Sequence, residues 1–315
     1  MKTIGIIHGL ENSFPDAVID EINKLGLADV KAEHVLIDMV EQGAPAEYAV
    51  IIDRLSHEVP FYRAYLRNAA AAGSAVMNNP FWQSADEKFF NNALAMKHGV
   101  HVPHTVLLPS RERPYGTDVT TFINLKFPLS WEKIFDYIRW PAYLKPYNGR
   151  GWKDVYRVSD PAEFFKAYSE TGQNVMMLQE EILFEDYFRC FCFGGKYVRI
   201  MRYEPRNPHH LRYENSKGPI EKKLMEEIER IVVVLCTALG YDFNSVEIAV
   251  RNGVPYAIDF CNPVPDANIA TVGQDNFEWA VENLVKLAVG KALTQDPARN
   301  NLMWGTFVSR AVEGK

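Results

Sequence analysis

Over the first hundred residues, short apolar runs alternate with amphipathic stretches, the pattern of a parallel sheet covered by helices. Strands are predicted at residues 3–7, 31–37, 48–52 and 74–77. Ser13 is a suitable N-cap, and with Pro15 and Asp16 in the first turn it predicts a helix to about Lys24. A second helix is predicted over 61–72, ending at Gly73. The stretch 111–130, broken by Pro114, Gly116 and Pro128, is irregular and marks the join to the next unit.

Beyond the join, strands are predicted at 142–145, 154–158 and 175–181, with a helix over 161–169 behind a Ser159-Asp160 cap, which together suit a small α+β lobe. From Tyr187 two strands flank the Gly194-Gly195 turn. A long helix follows over about 219–239, closed by Gly240, then a hairpin pair at 245–250 and 256–259, and a last helix over 277–289. The sequence has no internal repeat and no low-complexity tract.

Composition narrows the picture. With 47% hydrophobic and 23% charged residues, and no apolar run approaching the roughly 18 residues of a membrane span, the 315-residue chain is expected to be a soluble globular protein with several domains. Its four cysteines, Cys190, Cys192, Cys236 and Cys261, form no CxxC pair and suit a reducing cytoplasm. A net charge of -6 without a basic cluster gives a nucleic-acid partner no electrostatic support.

Three stretches carry candidate chemistry. In Tyr143-Leu144-Lys145-Pro146-Tyr147-Asn148-Gly149-Arg150-Gly151 a strand delivers a lysine, and the glycine-containing loop after it can bring backbone N–H groups close to phosphate oxygens. A surface hairpin with a solvated lysine fits that stretch equally well. It is not a Walker A loop, since no GK[ST] opens a helix. In Ser245–Val250 and Tyr256–Asn262, paired strands bring Glu247 and Asp259 near one another. Two such carboxylates repel unless a cation lies between them, and with Asn262 they are hard oxygen ligands suited to Mg²⁺ on nucleotide phosphates. An exposed hairpin with acidic ends is the plainer alternative. The third stretch, Val175-Met176-Met177-Leu178-Gln179-Glu180-Glu181-Ile182, is an apolar run closed by polar residues; it suits an adenine edge, or simply a buried strand reaching solvent.

In this order the three stretches resemble the ATP-grasp superfamily, and among its branches the ribosomal-protein glutamate ligases and glutathione synthetases. The likeness extends over most of the chain. Tyr48–Leu55, Phe61-Tyr62, Gly73 and Asn78-Asn79 look like the pre-ATP-grasp domain of that branch, and Asp86-Glu87-Lys88 with Gly99, Pro103 and Thr105 is similar to the segment bringing the first ATP-binding lysine. The resemblance implies an α/β fold, α+β in its C-terminal part: a parallel βαβ pre-ATP-grasp domain (1–109), then a two-lobed ATP-grasp fold with a small lobe (110–183) and a large lobe holding the metal site (184–315).

The resemblance also implies roles. Lys88 and Lys145 would hold the α- and β-phosphates of ATP, and the 148–152 loop with Gly149 and Gly151 would fold over them. Gln179, Glu180, Glu181 and Ile182 would form the adenine hinge. Arg189 and Arg202 would be the cationic catalytic positions, and Glu247, Asp259 and Asn262 would carry Mg²⁺, with Mn²⁺ as a substitute. The chain departs from the family pattern in three places. Asp259 and Asn262 have two residues between them, Phe260 and Cys261, where the family has one. Tyr187 stands where relatives place an acidic ribose ligand, leaving Asp186 as its substitute. The segment between Lys88 and Lys145 is long, which implies an insertion around 115–135 for substrate or oligomer contacts.

The implied activity is ATP- and Mg-dependent ligation of a small carboxylate or peptide to an amine through an acyl phosphate. The alternatives are an ATP-grasp kinase with a stable phosphorylated product and a non-catalytic nucleotide-binding scaffold. A nicotinamide enzyme is disfavoured because Gly5-Ile6-Ile7-His8-Gly9 lacks GxGxxG spacing. Candidate substrate contacts are Arg54, at the end of a predicted strand where α/β crevices bind ligands, and Arg206, His209 and His210 in a Pro-broken loop. A homo-oligomer is compatible with this reading.

Overall fold

The computed structural model describes all residues except Asn12, Ala46, 82–86, Val119, Phe122, Phe127, 149–152, 214–217 and 299–315. The first elements are β1 (Lys2–His8), α1 (Ser13–Lys24), β2 (Val30–His34), β3 (Val50–Arg54), α2 (Pro60–Ala71), β4 (Ala75–Met77), α3 (Lys88–Lys97), β5 (Thr105–Leu108) and α4 (Trp131–Tyr137). They are followed by β6 (Ala142–Pro146), β7 (Tyr156–Val158), α5 (Pro161–Tyr168), β8 (Met176–Glu180), β9 (Asp186–Phe193) and β10 (Tyr197–Arg202). The last are α6 (Lys222–Leu239), β11 (Phe243–Arg251), β12 (Val254–Asn262), α7 (Ile269–Val272) and α8 (Gln274–Thr294). One compact unit comprises Met1–Ala85, Asp186–Ala249 and Ala257–Lys315; the other comprises Asp86–Glu185 and Val250–Tyr256.

The first unit contains two sheets. One is parallel, in the order β2-β1-β3-β4, and its central strands β1 and β3 are buried on both faces and rich in Ile and Val. Ile4, Ile6, Val50 and Ile52 pack on one face with Phe14, Val18 and Ile22 of α1 and with Leu284 and Ala288 of α8. Ile7 and Ile51 pack on the other face with Leu66 and Ala70 of α2. Its register sets His8 beside Arg54 at the C-terminal edge.

The second sheet of this unit has the order β10-β9-β11-β12. Strand period two divides β9: Phe191 and Phe193 join the α1/α8 core, while Cys190 and Cys192 turn to the opposite face, the side on which α6 packs. Gly240, at a φ of 68°, takes the left-handed position that ends α6, as the sequence predicts. Asn78, just past β4, joins the two halves. Its amide donates to the carbonyls of Phe243 (2.8 Å) and Pro263 (3.1 Å), and its oxygen accepts from the N–H groups of Asp242 (2.6 Å) and Phe243 (3.1 Å).

The second unit is an antiparallel sheet, β5-β8-β6-β7. Ala142, Leu144 and Leu178 face a core built with Phe164 and Tyr168 of α5 and with Trp131 and Phe135 of α4. Tyr143, Lys145 and Gln179 therefore lie on the opposite face. Asp160 caps α5 by accepting from the Glu163 N–H, as predicted. Helix α3 is not among the predicted elements; the Glu87 carboxylate caps it by accepting from the Phe90 N–H. No described helix is long and apolar enough to cross a membrane.

Candidate active site

In the first unit a polar constellation forms on one face of the second sheet. Register sets Met201 opposite Arg189, and Tyr203 bonds back to Tyr187, so Tyr187, Arg189 and Tyr203 share that face. Ser245 and Glu247, two apart on β11, meet them there. The Tyr187 hydroxyl donates to Glu247 Oε2 at 2.6 Å. Arg189 lies 3.4 Å from the Ser245 hydroxyl and 4.0 Å from Glu247 Oε1, with its guanidinium over the Tyr203 ring.

This arrangement has electrostatic consequences. Burial opposes the charge on Arg189, but Tyr213, Glu247, Tyr203 and Asp266 outweigh it and hold the guanidinium above its ordinary range. Burial, then the Glu247 carboxylate, raises the Tyr187 phenol well above its usual value; Asp259 adds to the same effect. Tyr187 is thus a permanent donor to Glu247, and Arg189 a permanent cation with long, loosely filled contacts.

Glu247 touches the Tyr187 hydroxyl directly, while Asp259 acts on it only electrostatically and more weakly. Asn262 is placed differently. Alternation along β12 sets it opposite Asp259, and its amide donates to the Ser245 carbonyl (3.1 Å) while its N–H bonds Asn244 Oδ1. Two hard carboxylates suit a cation that keeps several waters and binds phosphate, which is the preference of Mg²⁺. Among the described residues no group of three or more His, Cys, Asp or Glu is placed to hold a metal by protein ligands alone.

Arg202 is not brought to this constellation. It stands opposite Phe188, on the other face of the sheet from Arg189. There it donates to Asp186 (2.8 Å) and to the Gly218 carbonyl (2.9 Å), so the candidate ribose ligand and the candidate catalytic arginine hold each other.

In the second unit, Lys145 shares its sheet face with Gln179, and the Lys88 N–H bonds the Tyr147 carbonyl, which ties the start of α3 to the strand carrying Lys145. Gly149 and Gly151 lie outside the described residues. The Gln179 amide donates to the Thr105 hydroxyl. Glu180 is 4% exposed and is spent internally, accepting from Arg251 (2.6 Å) and the His104 N–H (3.3 Å). Glu181 accepts from Arg157 and Tyr143. Both hinge carboxylates thus have protein partners. The N–H of Glu180 bonds the His104 carbonyl and that of Glu181 the Pro141 carbonyl, which leaves Ile182 as the first hinge position past the strand ladder.

Of the candidate substrate residues, Arg54 is buried at the C-terminal edge of the parallel sheet and clasps Glu11. Arg206 makes an exposed bidentate pair with Glu204. His209 lies 3.4 Å from Asp266, and His210 is exposed beside it. Period two on β9 and β11 is the signal that could have paired Tyr187 with Arg189 and Ser245 with Glu247. Nothing local indicated Tyr203, Tyr213 or Asp266.

No family model matches the sequence, and no curated protein does. Solved structures match over nearly the whole chain. D-alanine–D-alanine ligase from Bacillus anthracis, complexed with ATP, is 17% identical with a TM-score of 0.63, covering 93% of this chain and 98% of its own. A RimK domain ATP-grasp protein from Sphaerobacter thermophilus is 14% identical, TM-score 0.62, covering 90% and 99%. The ATP-grasp ligase PsnB, complexed with a minimal precursor, Mg and ADP, is 13% identical, TM-score 0.61, covering 92% and 98%. Parallel first sheet, antiparallel second unit and end-to-end coverage lead to one conclusion: this chain has the ATP-grasp fold.

Proposed function

We propose that the protein is an ATP- and Mg²⁺-dependent ligase that joins a small carboxylate or peptide to an amine through an acyl phosphate. The observation carrying this reading is the buried polar constellation in which Glu247 accepts from Tyr187 and lies 4.0 Å from the loosely contacted Arg189. Solved structures of the same fold bound to ATP, or to Mg and ADP, support the choice of nucleotide and metal.

Glu247 and Asp259 would hold Mg²⁺, which when bound supplies neutralisation of phosphate charge. Lys145, with Lys88, would neutralise the phosphates from the second unit, and the hinge backbone at Ile182 would meet the adenine edge. Tyr187 would orient Glu247 by donating to one of its oxygens. Arg189 would stabilise the charge that develops when the substrate carboxylate takes the phosphoryl group and when the amine displaces phosphate. Such chemistry demands positioning and charge neutralisation and no protein nucleophile. The buried thiols of Cys190, Cys192 and Cys236 therefore have no catalytic task here.

The test is thermal unfolding with ATP and Mg²⁺, because a ligand that binds only the native state raises the midpoint. Wild type should show a Mg-dependent shift, and Glu247→Gln and Lys145→Ala should lose it while retaining the unliganded midpoint within a few degrees. No shift in wild type at millimolar nucleotide would overturn the reading. ADP release that depends on both an acid and an amine would identify a ligase; a stable phosphorylated product without amine consumption would identify a kinase.

A further inference from the structure

At the C-terminal ends of β1 and β2 three side chains meet. Period two puts His8 on the same face of β1 as Ile6, and register pairs Ile6 with His34 at the end of β2, so both imidazoles stand on the face that α1 covers. Helix α1 brings Asp16 to them from its first turn. His8 Nε2 and His34 Nδ1 are 2.9 Å apart, with the ring centroids separated by 5.1 Å. On the outer side of each ring stands an oxygen: the Gly9 carbonyl lies 3.0 Å from His8 Nδ1, and Asp16 Oδ1 lies 3.3 Å from His34 Nε2.

The outer contacts decide where the ring hydrogens are. A carbonyl only accepts, so His8 carries its hydrogen on Nδ1. A lone pair on His34 Nε2 would face the Asp16 carboxylate, so the hydrogen of His34 belongs on Nε2. The inner nitrogens, His8 Nε2 and His34 Nδ1, are then two lone pairs turned toward each other, and they repel unless a cation stands between them. Metal-binding histidines have this arrangement, with the outer N–H of each ring held by a carbonyl or a carboxylate. The spacing agrees: at a metal–nitrogen distance of about 2.0–2.1 Å, two imidazoles in cis positions at a right angle have nitrogens about 2.9 Å apart. Charge and access agree as well. Arg54, the register neighbour of His8 on β3, is neutralised by Glu11, and the side chains of His34 and Asp16 are 46% and 53% exposed, so an ion and its waters reach the pair from solvent.

We infer that His8 and His34 form a two-histidine site for a divalent transition metal of the Ni²⁺ or Cu²⁺ kind, which takes imidazole in cis positions and keeps water in the others. Asp16 is the positioning residue that fixes the His34 ring. Bound there, the metal ties together the ends of β1 and β2. Its nitrogen donors separate it from Mg²⁺, which prefers oxygen donors such as Glu247 and Asp259, and the site does not depend on the ligase reading. A proton alone is the competing occupant of the space between the two nitrogens.

The experiment titrates the untagged full chain with Ni²⁺ by calorimetry in excess Mg²⁺, and records the electron paramagnetic resonance of the wild type loaded with one equivalent of Cu²⁺. Ni²⁺ should bind without competition from Mg²⁺ and raise the unfolding midpoint, and the Cu²⁺ spectrum should show coupling to two imidazole nitrogens. His8→Gln and His34→Gln, checked for an unchanged midpoint without metal, should each weaken Ni²⁺ binding about tenfold or more, and Asp16→Asn about tenfold. The double variant His209→Gln with His210→Gln should bind Ni²⁺ as wild type does. Failure of the wild type to bind Ni²⁺ and Cu²⁺, or a Cu²⁺ spectrum without two nitrogens, overturns the inference and leaves a proton alone between the rings. So does undiminished Ni²⁺ affinity in His8→Gln and His34→Gln, or loss of binding in the His209 and His210 double variant. Full affinity in Asp16→Asn refutes the positioning role of that carboxylate.

Discussion

Replacing Asn78 with Ala tests whether one buried amide holds together the two halves of the first unit. Asn78 is 3% exposed and makes four hydrogen bonds to backbone groups, at 2.8 and 3.1 Å as donor and 2.6 and 3.1 Å as acceptor. Its orientation is unambiguous, because carbonyls can only accept and N–H groups can only donate. Truncation strands the Phe243 and Pro263 carbonyls and the Phe243 N–H in the interior. At about 1–3 kcal/mol for each stranded group, softened by relaxation, the expected loss is about 3–6 kcal/mol. Asn78→Asp keeps both acceptor bonds but turns a carboxylate oxygen toward the two carbonyls, so it should be at least as destabilising near neutral pH and recover partly when protonated. The assay is urea unfolding followed by tryptophan fluorescence, with thermal melts of each variant. A loss below about 1 kcal/mol for Asn78→Ala would refute the reasoning, because it would mean that water satisfies those groups at little cost.

The buried Glu180 carboxylate pairs with the part-exposed Arg251 in the second unit, so Glu180→Ala should destabilise by about 1–3 kcal/mol, and the double change Glu180→Gln with Arg251→Met should recover much of that; a double-mutant cycle measures it, and additive losses would deny the coupling. Stability should also fall at alkaline pH. Burial raises the Cys190 and Cys236 thiols, and burial followed by Tyr48 raises Tyr65 to about 12. With folded values above unfolded ones, these groups contribute stability that is fully present below the unfolded pKa values. That stability is lost as pH rises through about 9 to 12, at up to about 1.4 kcal/mol per pH unit for each fully buried group. Melts from pH 7 to 11 check this, and Tyr65→Phe should flatten the upper part of the curve. Gly73→Ala should cost stability: φ is 106°, and a Cβ would stand 2.8 Å from the Pro297 carbonyl oxygen, so an unchanged melting midpoint would contradict the geometry.

Much of the fold was legible along the chain because its signals are local. The β-branched runs of β1 and β3 show a sheet buried on both faces, Asp160 and Gly240 mark helix ends through their own hydrogen bonds and φ angle, and alternation shows the faces of β9 and β11. The same local order made Lys145, Glu247 and Asp259 stand out as charged residues within largely apolar runs. Helix α3 was missed because Asn91 and Asn92 blur its apolar face although both are buried.

Partnership was decided only by tertiary structure. Arg189 and Arg202 look equivalent in sequence, each on a strand after the hinge, yet antiparallel register turns them to opposite faces, and Arg202 is consumed by Asp186. Glu180 looks like a hinge ligand until Arg251, more than seventy residues on, claims its carboxylate. Ser13 looks like a cap, and Arg54 like a substrate contact at the end of a strand. In the folded chain, Arg54 instead reaches back to Glu11 and forward to Pro265. The physical reason is the same each time: the charge and periodicity of a residue can be read where it stands, but which opposite charge desolvates beside it depends on chain segments brought together from far apart.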